Sequence, residues 1–300
     1  MANRQGTLYA APVAGAPRQL RMEHYIGYLL RRAYLRAERA ASIAVPPPYG
    51  MRHLLVLALL DDHGPMSQQR LAALARVNRT IMVQLVDALE DDGLVRRERD
   101  AGDRRSYALV LTAAGRSTLR RLTPAMDRAE ALLTANLAAP ERTRLTELLG
   151  GVIGAAAVTQ LGGRSGHLIA HAHQRLRGEG AARLRPLGLD PRHLAALESV
   201  GRRQPCSQEL VAKDLAVSAP VVVGLVDDLV AAGFVERRRN IKDRRRYDLT
   251  VTSLGLSRLR AGFKVLDEIH EALRYRLTPS GADELHRLLT TLLDPPLGAA

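Results

Sequence analysis

The chain has 300 residues, a length that suits two domains, and its 46% hydrophobic content can build cores although aromatic residues make up only 3%. Lys and Arg outnumber Asp and Glu by 44 to 31, and a net charge of +13 makes nucleic acid the first partner to expect. A lone cysteine, Cys206, excludes an intrachain disulfide framework, and the most apolar run, Leu148 to Val158, is too short for a bilayer, so a soluble, cytoplasmic protein with no membrane partner is expected.

Residues 1–19 read as a flexible tail without the apolar core of a signal peptide. Between Leu20 and Ala40, Ile26, Leu29, Leu30 and Ala33 form a helical stripe that Pro46-Pro47-Pro48 ends. Arg52–Leu60 is a short, largely buried helix stopped near Gly64-Pro65. Ser67 caps a helix to about Ala75, and Asn78 caps the next, Arg79–Asp92, which Gly93 closes. Leu94–Glu98 and Tyr107–Leu111 predict a β-hairpin with a charged tip. Thr112 then caps a long helix from Ala113 to Leu137, Ala139-Pro140 interrupts it, and Glu141–Leu149 is the last helix.

This order is then repeated. Sliding the sequence by 140 aligns Met51–Leu119 with Pro191–Leu259 without a gap, and 27 of those 69 positions are identical. So long a register is a duplicated domain rather than a solenoid period. The expected organisation is a tail (1–19), a first winged helix domain (20–150), a linker (151–164) and a second (165–300). The fold class is mainly α, an α+β winged helix: two winged helix-turn-helix domains sharing a helical, dimerisation-like interface.

Two short helices joined by a turn and followed by a basic hairpin suit double-stranded DNA, with the second helix in the major groove and the hairpin on the flanking backbone or minor groove. Arg96–Ser106 holds five Arg against three acids, and Glu236–Arg246 holds seven basic residues against two, so the second wing is the more positive. The candidate DNA contacts are Arg79, Thr80, Gln84, Arg97, Arg99, Asp103, Arg104 and Arg105 in the first copy. In the second they are Ser218, Arg237, Arg239, Lys242, Asp243, Arg244, Arg245 and Arg246.

The run Leu71-Ala72, Val77, Leu85-Val86-Asp87-Ala88-Leu89-Glu90, Gly93-Leu94-Val95-Arg96-Arg97, Asp103-Arg104-Arg105, Leu111-Thr112 and Gly115 resembles the MarR family of bacterial regulators. Its counterpart is Val211-Ala212, Val217, Leu225-Val226-Asp227, Leu229, Gly233-Phe234-Val235-Glu236-Arg237, Asp243-Arg244-Arg245, Val251-Thr252 and Gly255. The resemblance implies a repressor that reads a palindromic site and releases it when a small aromatic or phenolic ligand, a metal or an oxidant binds. It also implies that Asp103 orients Arg105, and Asp243 orients Arg245, for entry into the minor groove. Two copies in one chain imply a monomer that mimics the family's homodimer.

The copies differ where bases would be read. The first presents Arg79, Thr80, Ile81, Val83 and Gln84; the second has Ala219, Pro220, Val221, Val223 and Gly224, none of which can hydrogen-bond a base. The expectation is an imperfect palindrome, with more base reading by the first copy and more backbone attraction by the second.

For the effector, His24, Tyr25, Tyr28 and Arg32 on the first helix are the candidate pocket, against plain aromatic packing. His167 and His171, with His173 nearby, have a spacing that could hold a metal, but no Cys or carboxylate joins them locally and the plainer reading is polar surface. Cys206 precedes the Ser207 cap, where a helix N-terminus would lower its pKa. No metal or cofactor is assigned. The sequence shows no phosphate-binding Gly loop, paired-Cys site or nucleophile elbow, so no enzyme is expected. The alternative is an architectural nucleic-acid protein with little sequence choice.

Overall fold

The structure is a computed structural model that describes residues 21–75, 77–99, 107–154, 163–239 and 247–294. A 3-10 turn, Met22–His24, leads into α1 (Ile26–Ala44), followed by α2 (Met51–His63), β1 (Met66–Ser67), α3 (Gln68–Ala75) and α4 (Arg79–Asp91). The hairpin β2 (Val95–Arg99) and β3 (Tyr107–Leu111) precedes α5 (Ala113–Leu133) and α6 (Ala139–Ile153). The second half runs α7 (Ser165–Leu184), a 3-10 turn at Arg185–Leu187, α8 (Pro191–Arg203), α9 (Gln208–Leu215), α10 (Ala219–Ala231), β4 (Val235–Arg239), β5 (Tyr247–Val251), α11 (Ser253–Leu277) and α12 (Pro279–Leu293). Mainly helical, with a small sheet in each half, this is the winged helix class expected from the sequence.

The ends follow from local chemistry. The Asn78 side chain accepts the Ile81 N–H at 2.8 Å and so starts α4. Gly93 and Gly233, at φ 69° and 71°, end α4 and α10 in the left-handed region that a side chain disfavours. Pro140 does not merely interrupt a long helix. It sits in the first turn of α6, where its missing N–H leaves nothing unsatisfied, and α5 has already ended at Leu133. The sequence reading missed β1, whose two residues pair with β3 through Met66↔Leu109 and Ser67↔Ala108 to give the strand order β1-β3-β2. In the second copy the same place holds a single bridge, Cys206↔Leu249.

The chain divides into two compact units, and the division falls inside α7 and α11. One comprises Ile26–Leu176 and Leu273 onward; the other comprises Arg177–Ala272 with the described residues up to Tyr25. In the first, α1 packs on α5 and on α12, and α12 also packs on α6. Leu285, Leu288, Leu289 and Leu292 of α12 are all at 0% exposure, and each buried leucine contributes about 1.5–3 kcal/mol. Ion pairs Arg144–Glu284 (2.9 Å) and Arg287–Glu141 (2.8 Å) join α12 to α6 at the surface. The C-terminal helix of the second repeat is therefore built into the unit that holds the first winged helix.

The other unit borrows in the opposite direction. Tyr25 is buried in the core with Leu194, Leu197, Val200, Val226, Leu249 and Phe263 of the second winged helix. Its ring centroid lies 5.8 Å from that of Phe263, and its hydroxyl donates to Asp267 at 2.7 Å. Burial first, then Asp267, pushes the phenol pKa far above its ordinary value. In this unit one Asp214 carboxylate oxygen collects Ser199 (2.9 Å), Arg202 (3.0 Å) and Arg203 (2.7 Å), fastening α8 to α9. The first copy has Leu59, Asp62, His63 and Leu74 at the matching places. Among the described residues no helix is long and apolar enough to cross a membrane.

Candidate nucleic-acid interface

Both recognition helices bury one stripe and expose another. α4 turns Met82, Leu85, Val86 and Leu89 inward, and α10 turns Val222, Leu225, Val226 and Leu229 inward, the same four positions shifted by 140. Arg79, Thr80, Val83 and Gln84 of α4 are exposed, and Ile81 is half-buried. Arg and Gln here offer donors and acceptors of the kind that major-groove base edges match. On α10, Ala219, Pro220, Val221, Val223 and Gly224 are exposed, with Val221 at 41% and Val223 at 43%. Ser218 caps α10 by position and is exposed, but its side chain makes no capping hydrogen bond, unlike that of Asn78.

Arg97, half-buried on β2, donates to Asp87 at 2.6 Å and also to Glu90, while Glu90 accepts the Arg97 backbone N–H at 3.1 Å. The hydrogen bond to Asp87 leads in raising its pKa. Arg237 repeats this on β4 with Asp227, at 2.7 Å. The Glu90 position holds Val230 in the second copy, so that clamp has one carboxylate fewer. These two arginines fasten each wing to its own recognition helix, and pairing cancels much of their pull on phosphates. Arg99 and Arg239, at the far ends of β2 and β4, are exposed. Asp103, Arg104, Arg105, Lys242, Asp243, Arg244, Arg245 and Arg246 lie outside the described residues.

The effector candidates fall in both compact units. His24 and Tyr25 belong to one compact unit, Tyr28 and Arg32 to the other. Tyr25 is core, and His24 packs near His270 with ring centroids 5.5 Å apart. A cavity of about 70 Å³ lies within the first unit, lined by none of these four residues. Tyr34, Arg52, Leu55, Met126, His167 and His171 are among its walls. Arg52 donates to the Tyr34 hydroxyl at 2.9 Å, and Glu130, another wall residue, accepts the Ser165 and Gly166 N–H groups that start α7.

The plainer reading of His167 and His171 as polar surface is overturned: they are 7% and 4% exposed. Their spacing of four does put both on one face of α7, but that face points inward, a sign the sequence carried without its direction. His173 instead stacks on Tyr34, at 5.3 Å and 19°. Among the described residues no group of three His, Cys, Asp or Glu could hold a metal ion. Cys206 also departs from expectation, because burial pushes its thiol up to about 11, with Asp214 adding to the rise. Any pull from the helix N-terminus is outweighed by desolvation.

Known proteins are similar to this chain in both of its halves. MarR family profiles match residues 51–107 and, separately, residues 187–246. The HTH-type transcriptional repressor NicR of Pseudomonas putida is 30% identical over 155 residues, 50% of this chain and 95% of its own length. An HTH-type transcriptional repressor of Mycobacterium bovis is 32% identical over 126 residues, 41% of this chain and 90% of its own. The crystal structure of the PcaV transcriptional regulator from Streptomyces coelicolor with its natural ligand aligns at 27% identity and a TM-score of 0.40, covering 43% of this chain and 92% of that one.

Proposed function

Because the chain belongs to the MarR family and carries two of its winged units in tandem, we propose that it is a sequence-specific repressor acting on double-stranded DNA as a built-in pseudo-dimer. The observation that carries this reading is the reciprocal exchange. α12 of the second repeat completes the first unit, and Tyr25 from before the first repeat completes the core of the second winged helix. A homodimer trades such elements between chains; here one chain supplies both partners. The outward faces of α4 and α10 then serve two half-sites, and their unlike chemistry favours an imperfect palindrome.

The cavity is the proposed effector site. At about 70 Å³ it falls short of the roughly 150 Å³ that accepts benzene, so a small aromatic or phenolic ligand must part the helices around it. Its walls include Met51 and Arg52 of α2, which packs against α4, so parting them displaces a recognition helix. A ligand that binds the displaced state better releases DNA by that difference in affinity.

The test is to incubate the full chain with fragmented genomic DNA at about 150 mM salt, where non-specific attraction is weak, and to sequence what it retains. A sharp set of sites sharing an unequal inverted repeat supports the reading. Uniform recovery across the genome overturns it in favour of an architectural protein, an alternative that the apolar face of α10 favours. A panel of phenolic ligands, scored by thermal shift and by release of a selected site, tests the effector.

A further inference from the structure

The exposed face of α10 combines two properties that rarely share a partner. Its groove-side positions Ala219, Pro220, Val221, Val223 and Gly224 carry no hydrogen-bonding side chain. Yet the strand that follows ends on the exposed Arg239, and by sequence the wing Glu236–Arg246 holds seven basic residues against two acids, with Arg237 and Arg238 paired to Asp227 and Glu236. A basic surround selects a polyanion, and the bare helix face selects an apolar group on it. In the major groove the one apolar group displayed by an unmodified base pair is the C5-methyl of thymine.

We infer that α10 is a thymine-methyl reader, with Val221 and Val223 covering methyl groups in a T-rich half-site. This rests on the operator reading above and gives it a chemistry. The shape suits the task. Gly224 has no side chain, and an added Cβ there would meet nothing within 4 Å, so the helix can lie close to the bases. Pro220 stands in the first turn, where helices tolerate it. Val83 of α4 matches Val223, at 37% exposure, but it is flanked by Arg79, Thr80 and Gln84, which read polar base edges instead. The two half-sites are thereby read in different terms, one by hydrogen bonds and one by methyl burial.

The experiment takes an operator recovered by the genomic selection and replaces thymine by deoxyuridine, one half-site at a time, which removes methyls and leaves base pairing intact. The expected result is a loss of about fourfold in affinity for each methyl covered, in one half-site and not the other. The paired substitution Val221→Ala and Val223→Ala, on exposed positions that folding tolerates, should weaken binding to thymine DNA and abolish the deoxyuridine effect in that half. Equal losses in both halves, no loss in either, or a deoxyuridine effect unchanged by the variant overturns the inference. So does a variant that binds DNA like the parent chain, which would point to a protein docking on this face. Those outcomes leave the operator standing, whereas a selection that yields no preferred sites removes the operator reading and this one with it.

Discussion

Arg79 and Ser218 stand at the starts of their recognition helices, and they should not be equivalent. Arg79→Ala removes a fork of donors from an exposed position, and discrimination at its half-site should fall by about 1–3 kcal/mol. Ser218→Ala removes one hydroxyl and should change sequence preference far less. Binding measured on single-base operator variants decides this, and equal losses would end the proposed division between the copies. A second residue pair sets a pH response. Burial alone would push the Asp190 carboxyl up, but the His193 side chain and the backbone N–H groups of His193 and Arg192 hold it far below its ordinary 3.8. Led by the hydrogen bond to Asp190, and helped by Asp228 on α10, His193 is held above its ordinary 6.5. The Asp190 contribution to stability is therefore present above about pH 4 and lost below it. The His193 contribution is present below pH 6.5 and lost as pH rises through the raised value. Urea midpoints should fall between pH 6 and pH 8 in the parent chain and fall less in His193→Gln. The equivalent His53 behaves oppositely: burial lowers its pKa, and its Nδ1 accepts the Gly50 N–H at 3.1 Å.

At the scale of elements, the repeated glycines Gly115 and Gly255 mark where a helix start lies against a strand end. A Cβ on Gly115 would strike the Leu94 carbonyl oxygen, and one on Gly255 the Phe234 carbonyl oxygen. Gly115→Ala should therefore destabilise by about 1–3 kcal/mol, read as a lower thermal midpoint, although alanine is the better helix former. Both glycines stood out in the sequence as shared positions, but the backbone they approach did not. More generally, elements bounded by local chemistry were legible: the Asn78 cap, the Gly93 and Gly233 stops, and the hairpin alternation each announce an end. Features made by distant partners were not. The two residues of β1 carry no periodicity, and Tyr25 and Tyr28 look alike as ring-bearing helix residues, yet one completes a core with Phe263. The cavity walls come from α1, α2, α5 and α7 at once, and no local pattern joins them. Cys206 precedes a helix as its sequence suggests, but its burial was not legible there. It should resist thiol reagents in the native chain and react once urea unfolds it.

For the whole molecule, the proposed single-chain dimer would bind its operator in a single step. Titration of a labelled operator should give a Hill coefficient of about 1 at all protein concentrations, while chains that must pair first would give a steeper curve on dilution. With six to ten phosphates contacted, affinity should drop about 10³- to 10⁵-fold between 50 and 200 mM salt. The interleaving also bears on synthesis at the ribosome. The unit holding the first winged helix waits for α12, which ends at Leu293, whereas the unit holding the second draws its described parts from residues up to Ala272. Domains generally fold as they emerge, from the N-terminal end onward. Here the winged helix translated first is the one completed last, and a released chain truncated after Ala272 would hold one finished reader and one still short of its final helix.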